Sequence, residues 1–314
     1  MAYRFCFMKF RSSLFAFTAL CLGFTACTND TTPEQEPEME MVPVRFSAKP
    51  YVELSTRVVG NAFQNGDQIG IFCVDTAATK TDSLLYNGNY ADNVRYTFSG
   101  DSFSAAADPI MQYRHNILAY TYYIVYPYTT VAAPEFMFTI IRDQRSHSNY
   151  NASDLALQKV TTRDLDINLQ LKRMMANVNI YVTGQFMTTH DVSATISQVL
   201  LTSRIDLNAQ KATADPQYAR RTVTFEKYRN DNDTVALHAI IAPQRLTSAQ
   251  VITLTVDEDN YNIPLPNGWS AVNIPSGYYL PLTCDIHVDN TGEIHILYGG
   301  EEVQPNPMES PYRK

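Results

Sequence analysis

Val44-Arg45-Phe46-Ser47-Ala48-Lys49 alternates without a break: Val44, Phe46 and Ala48 fall on one face, Arg45, Ser47 and Lys49 on the other, and Pro43 and Pro50 bound the run. Side chains of an extended chain point to opposite faces in turn, so a period of two marks a strand with one face buried. The same reading extends along the chain. Gln68-Ile69-Gly70-Ile71-Phe72-Cys73-Val74 is a more apolar strand entered by the turn Asn65-Gly66-Asp67, and Tyr120-Thr121-Tyr122-Tyr123-Ile124-Val125-Tyr126 is one ended by Pro127. Residues 167–171, 178–182, 222–225, 235–241, 251–256, 286–288 and 293–298 repeat the pattern, with turns expected at Asp257-Glu258-Asp259-Asn260 and Asp289-Asn290-Thr291-Gly292. Short β-rich runs separated by Asn, Asp, Gly and Pro predict an all-β fold of sandwiches. Asp154-Leu155-Ala156-Leu157-Gln158-Lys159 reads as a helical turn, and no long amphipathic helix is expected.

A second feature lies upstream. An apolar run, 14–26, follows Arg4, Lys9 and Arg11 and ends at Thr25-Ala26-Cys27. It is too short for a membrane span and is followed by polar residues, so it reads as an export signal. The Thr-Ala-Cys ending resembles a lipoprotein cleavage box, in which the Cys27 thiol is acylated. Residues 1–26 are thus expected to be a signal peptide. Residues 27–43, rich in Glu, Pro and Thr, are expected to be a disordered acidic tether.

Charge and cysteines narrow the function. The chain carries 24 Lys and Arg against 32 Asp and Glu, and three of the basic residues lie in a leader with no acidic residue. An acidic body argues against nucleic acid as a partner. Of five cysteines, Cys6 and Cys21 lie in the leader and Cys27 is the lipid site, leaving Cys73 and Cys284, read as buried free thiols.

No catalytic, cofactor or metal constellation is legible. The six histidines lack zinc-protease spacing, and His238, His287 and His295 sit in alternating strands and read as solvated. The acidic clusters 230–233 and 257–260 lack calcium-loop spacing and read as hairpin tips. The tyrosines of 120–128 suit either half-buried strands or a glycan platform. The expectation is that the protein is not an enzyme. The weakest patterning, Val160-Thr161-Thr162-Arg163-Asp164, sets a boundary between domains 44–164 and 165–300, with 301–314 a flexible tail too rich in proline for a strand.

Ser55-Thr56-Arg57, followed by Phe63-Gln64-Asn65-Gly66-Asp67-Gln68-Ile69-Gly70-Ile71-Phe72, resembles the opening of the fimbrillin-like lipoproteins of Bacteroidales. Tyr126-Pro127-Tyr128, Asp143-Gln144, Ala152-Ser153-Asp154-Leu155, the run 169–178, Ala242-Pro243-Gln244 and Gly277-Tyr278-Tyr279 follow in that family's order. Trp is common in the family where Phe63 stands, and His where Arg173 stands. The resemblance implies two transthyretin-like β-sandwich domains in tandem, in a subunit that reaches the outer membrane and cell surface as a lipoprotein. It further implies a cut by an arginine-specific protease after the first strand, and joining of subunits by strand exchange. On this chain the displaced strand carries Val44, Phe46 and Ala48, the cut follows Arg57, and the candidate donor strand carries Ile294, Ile296 and Tyr298. Its partners are other fimbrial subunits, outer-membrane lipid through Cys27, and a host or bacterial surface ligand. Asp75-Thr76-Ala77, Asp82-Ser83-Leu84 and Asp233-Thr234-Val235 resemble the short O-glycosylation sites of this phylum. The alternative is a lipid-anchored glycan- or host-binding module that does not polymerise, resting on Tyr122 and Tyr126.

Overall fold

The apolar runs expected to be strands are strands, in a computed structural model that describes residues 40–48, 63–115, 118–131, 134–184, 189–231, 233–265 and 270–306. In chain order they are β1 Met41–Pro43, β2 Arg45–Ser47, β3 Gln68–Asp75, β4 Ala91–Ser99, β5 Ser102–Ala105, β6 Met111–Tyr113, β7 Tyr120–Tyr126, β8 Glu135–Thr139, β9 Ala156–Thr162, β10 Asp166–Asn168, β11 Lys172–Arg173 and β12 Ala176–Gly184. There follow β13 Val192–Val199, β14 Thr202–Asp206, β15 Lys211–Ala214, β16 Arg221–Thr224, β17 Glu226–Asn230, β18 Thr234–Ile241, β19 Gln244–Thr247 and β20 Ile252–Val256. The last are β21 Asp259–Ile263, β22 Ala271–Ile274, β23 Tyr279–Val288, β24 Ile294–Tyr298 and β25 Glu301–Val303. Helix is confined, among the described residues, to short pieces such as α1 Thr76–Thr79 and α2 His147–Ser153. The fold is all-β.

The first sheet has eight strands in the order β10-β2-β5-β4-β3-β7-β9-β11. It curls on itself: Phe46 of β2 sets its ring edge-on to Tyr96 of β4 and Tyr122 of β7, 5.0 and 5.8 Å away, although neither strand adjoins β2 in the sheet. The enclosed core holds Val44, Phe46, Ile69, Ile71, Cys73, Tyr96, Phe103, Tyr122, Ile124, Ile167 and Leu169. Alternation along β3 and β7 sends Phe72, Val74, Tyr123 and Val125 to the opposite face, where they join a second, larger core. That core is filled by the six-stranded sheet β17-β18-β12-β23-β24-β25 and by the four-stranded sheet β16-β13-β20-β21. All these strands lie within one compact unit, Met39–Lys314.

Three side-chain amides imitate backbone pairing between distant segments. Gln144, wholly buried, donates from Nε2 to Ile240 O at 2.8 Å and accepts from Ile240 N at 2.8 Å. Asn208 accepts from Leu84 N at 2.7 Å and donates to Leu84 O at 3.1 Å. Gln244 holds Leu200 in the same way, both bonds at 3.0 Å. Each amide offers a donor and an acceptor in peptide-like geometry, so it satisfies a backbone pair where no strand lies alongside.

Several sequence expectations are corrected. Residues 154–159 form no helical turn: Ala156–Thr162 is a strand, and the helix lies just before it, capped by Ser146, whose hydroxyl accepts from Asn149 N at 3.3 Å. Residues 41–43, assigned to the tether, form β1 against β6, and the Glu40 carboxylate pairs with Arg114 at 2.7 Å. The tail begins with a strand, because Gly299 and Gly300, at φ 62° and 86°, make the left-handed two-residue turn that folds β25 back on β24. The prolines that argued against a strand, Pro305 onward, come after it. Around the expected boundary, β9 runs through Thr162, and β10 and β11 return to the first sheet. Cys73 and Cys284 are free and buried, as expected.

Gln144→Ala leaves the Ile240 N–H and C=O without this partner, at about 1–3 kcal/mol for each buried group left unpaired. Urea unfolding should show a loss of about 2–6 kcal/mol for the two groups together; an unchanged midpoint would mean that the amide is not holding these segments together.

Candidate functional site

The first segment, residues 40–48, is stitched to the body from both sides. β2 runs parallel to β10 and antiparallel to β5, with Phe46 opposite Ile167 on one side and Phe103 on the other. Val44 N donates to Ile110 O at 2.8 Å, Arg45 N to Leu165 O at 2.7 Å, and Leu169 N returns a bond to Ser47 O at 2.7 Å. Of the face expected to be buried, Val44 and Phe46 are 2% and 0% exposed and Ala48 is half-buried against the same core. Arg45 grips Asp166 through both guanidinium branches, one at 2.8 Å, and holds its carboxyl below the ordinary range. Both side chains are largely exposed, so this pair sets register more than it adds stability. β10, the outer neighbour, is a three-residue edge strand. The groove that β2 fills is therefore one strand in from the sheet edge. Its floor is aromatic: Tyr96, Tyr122 and Phe103.

The candidate donor strand, β24, lies in the other sheet, paired with β23 and β25. Ile296 is wholly buried, and Ile294 and Tyr298 pack partly buried against the larger core. Cys27 and Arg57 lie outside the described residues. The structure thus places the first strand and the candidate donor in different sheets.

Of the two readings of the β7 tyrosines, half-buried strand or glycan platform, the structure places Tyr120, Tyr122 and Tyr123 in the core. Tyr122 is wholly buried and its hydroxyl accepts from Gln112, while Tyr120 and Tyr123 are 5% and 0% exposed. The run of tyrosines left both readings open; a core on each face of β7 decides it, with Tyr120 and Tyr122 in one and Tyr123 in the other.

His238 is a second correction. Expected to be solvated, it is 4% exposed and clasped between the rings of Tyr150 and Tyr228, at 3.6 and 4.2 Å between centroids. The cause is α2, which closes over β17 and β18 and which the sequence reading placed elsewhere. His238 Nε2 lies 2.7 Å from Glu226 Oε2, and His147 Nδ1 lies 3.1 Å from Glu226 Oε1. Beside them Arg173 pairs at 2.7 Å with Asp154, in the position where the resembled family commonly has His. Burial drives His238 from 6.5 down to about 3, with the charges of His147 and Arg173 adding to the effect. Burial also raises Glu226 above its usual 4.5. A neutral His238 donating to Glu226, sealed under two tyrosines, offers no open position to a substrate. Elsewhere Asp289, Glu293 and His295 converge at the β23–β24 turn. There the Asp289 carboxylate accepts from Thr291 N, Thr291 Oγ1 and Glu293 N, which is turn-forming work.

Neutral His238 contributes stability that is complete above about pH 6.5, where the unfolded chain is also neutral. That stability is lost as pH falls toward 3, because the unfolded chain takes a proton the folded one refuses. Glu226 acts oppositely above 4.5, since its folded form holds a proton more tightly. The stability difference between wild type and His238→Gln should therefore be constant at neutral pH and shrink below about 6.5. A difference independent of pH in denaturant titrations would contradict a buried neutral imidazole.

The sequence and the fold both have relatives. No curated protein matches the chain. Among solved structures, a candidate cell adhesion protein from Bacteroides ovatus superposes with TM-score 0.61 at 14% identity, covering 86% of this chain and 100% of that one. A second from Bacteroides uniformis gives 0.56 at 16%, covering 81% and 96%. A third from Bacteroides thetaiotaomicron gives 0.50 at 14%, covering 77% and 92%. At such identities the likeness is one of fold. The fimbrillin-like family matches residues 56–296, most of the chain and every strand from β3 to β23. On that match, the chain belongs to the fimbrillin-like family.

Proposed function

We propose that this chain is a structural subunit of a cell-surface fimbria, exported as an outer-membrane lipoprotein through Cys27 and joined to its neighbours by exchange of its first strand. The observation that carries the reading is the placement of β2: Val44 and Phe46 complete a core, yet only the three-residue β10 lies outside them in the sheet. Removing the segment would open an apolar groove lined by Tyr96, Tyr122 and Phe103, with unpaired backbone groups on β5 and β10. A strand from another molecule restores both, its main chain supplying affinity and its alternate side chains register. The resident strand meanwhile caps the groove and prevents assembly before export.

The chain between β2 and Phe63 contains Arg57, and the family match begins at residue 56, so the segment precedes the matched region. β24, with Ile294, Ile296 and Tyr298, is the candidate donor. It is paired on both sides, so its release requires the edge strand β25 to leave first. Such a head-to-tail contact has nothing to close it and extends as a filament. The partners are then other fimbrial subunits, the outer membrane through lipid on Cys27, and a surface ligand met by the finished fibre.

Treating the folded protein with an arginine-specific protease should remove residues 28–57 and yield oligomers whose new first residue is Val58. A protein that stays whole and monomeric under that treatment would overturn the assembly reading. Protein recovered from intact cells should begin at a blocked Cys27 before assembly and at Val58 after it; a free N-terminus elsewhere would contradict both assignments.

A further inference from the structure

The outer face of the sheet β17-β18-β12-β23 carries polar and aromatic side chains that strand exchange does not use. Along β12, Val178, Ile180 and Val182 enter the larger core, so Asn177, Asn179 and Tyr181 project from the other face. Register sets Asn179 between His238 on β18 and Pro281 on β23, with Tyr181 opposite Thr283 and Asn177 opposite Tyr279. The Tyr181 and Tyr279 hydroxyls meet. Because those residues stand on either side of the Asn179–Pro281 pair, their contact arches across it. Tyr228, at the β17 bulge, faces Tyr181 from the other flank. Beneath this roof Asn179 is 1% exposed, and its Nδ2 has no hydrogen-bond partner. The three tyrosines are half-buried, whereas Pro281 and Thr283 beside them are exposed, so the roof borders open surface.

A buried amide donor without a partner costs about 1–3 kcal/mol and calls for an occupant. We propose that this face is a binding site for a neutral saccharide, seated on Tyr181 and Tyr279 and hydrogen-bonded to Asn179. Phenol hydroxyls both donate and accept, as sugar hydroxyls do, and aromatic rings present an apolar face to the C–H face of a pyranose. The choice of a neutral sugar follows from charge. No cationic side chain stands among Asn179, Tyr181, Tyr279, Pro281 and Thr283; nearby Arg229 is paired with Asp231, and Asp285 flanks the shelf, held by Thr183. Opening the Tyr181–Tyr279 contact gives a ligand hydroxyl access to Asn179 Nδ2. The site lies on a different sheet from β2, so it needs no filament.

The monomeric full chain should be titrated with mannotriose, maltotriose and N-acetyllactosamine, read by calorimetry and saturation-transfer NMR. Saturable binding of at least one is expected. Thr283→Arg, which obstructs the shelf from an exposed position, should weaken it at least tenfold, as should Tyr279→Phe, which keeps the ring and removes the hydroxyl. Tyr86→Ala, at a 70% exposed tyrosine of the loop between α1 and β4, should leave it unchanged. Binding of none of the three sugars, or binding indifferent to Thr283→Arg, would overturn the proposal.

Discussion

The insertion of Phe46 between Tyr96 and Tyr122 is the contact on which the first core depends. A sheet of eight strands has two faces to cover, and one is spent on the larger core through Phe72, Val74, Tyr123 and Val125. The other face is covered by the sheet itself, because β5 and β2 curl over until Phe46 meets rings on β4 and β7 edge-on. Edge-to-face packing of buried rings adds about 0.5–1.5 kcal/mol beyond the area they remove from water. Without the strand that brings Phe46, the aromatic floor and the hydrogen-bonding edges of β5 and β10 would be open together. A single short segment thus controls both the apolar and the polar completion of this half of the molecule.

What surrounds that segment is built to stay put. Gln144, Asn208 and Gln244 close two-bonded rings onto the backbones of Ile240, Leu84 and Leu200, tying stretches far apart in sequence. The stacked Tyr150–His238–Tyr228 group fastens α2 over the second sheet, and the Arg173–Asp154 pair ties its C-terminal end to β11 of the first. None of these ties involves residues 40–48. The body therefore has its own fastenings, and the first segment adds a core filler and three ladders, β1–β6, β2–β5 and β2–β10, to a framework that is otherwise cross-linked. That division of labour suits a part to be replaced.

Much of this was legible because period-two alternation is a local property. β2, β3, β7, β12, β18 and β20 announce themselves by which residues are apolar, and on β2 and β20 the buried face is the one that alternation marks. Less visible were β4 and β13, whose alternation is interrupted: Asn93 and Gln198, both at positive φ, sit beside irregular pairings that shift register. His238 failed for another reason. Its strand alternates as a half-wet strand should, and only α2, folding over from distant sequence, dries its outer face. The tyrosines of β7 illustrate the same limit, since composition says nothing of whether one face of a strand or both will be covered. Of the motifs carried by family resemblance, Gln144 and Gln244 acquire a physical meaning as backbone clips, whereas Asn208, which does the same work, stands in no motif. Cys27 and Arg57 lie outside the described residues and remain proposals resting on sequence.

The central claim is that the first strand must leave its groove for subunits to join. Ser47 and Ser102 are directly opposed on β2 and β5, and the cysteines native to the body, Cys73 and Cys284, are buried. Replacing both serines with cysteine would fasten the strand in place by a disulfide that a reductant releases. After cleavage by an arginine-specific protease, the oxidised variant should remain monomeric and the reduced variant should assemble. Assembly of the oxidised protein as readily as the reduced, or of neither, would contradict the account.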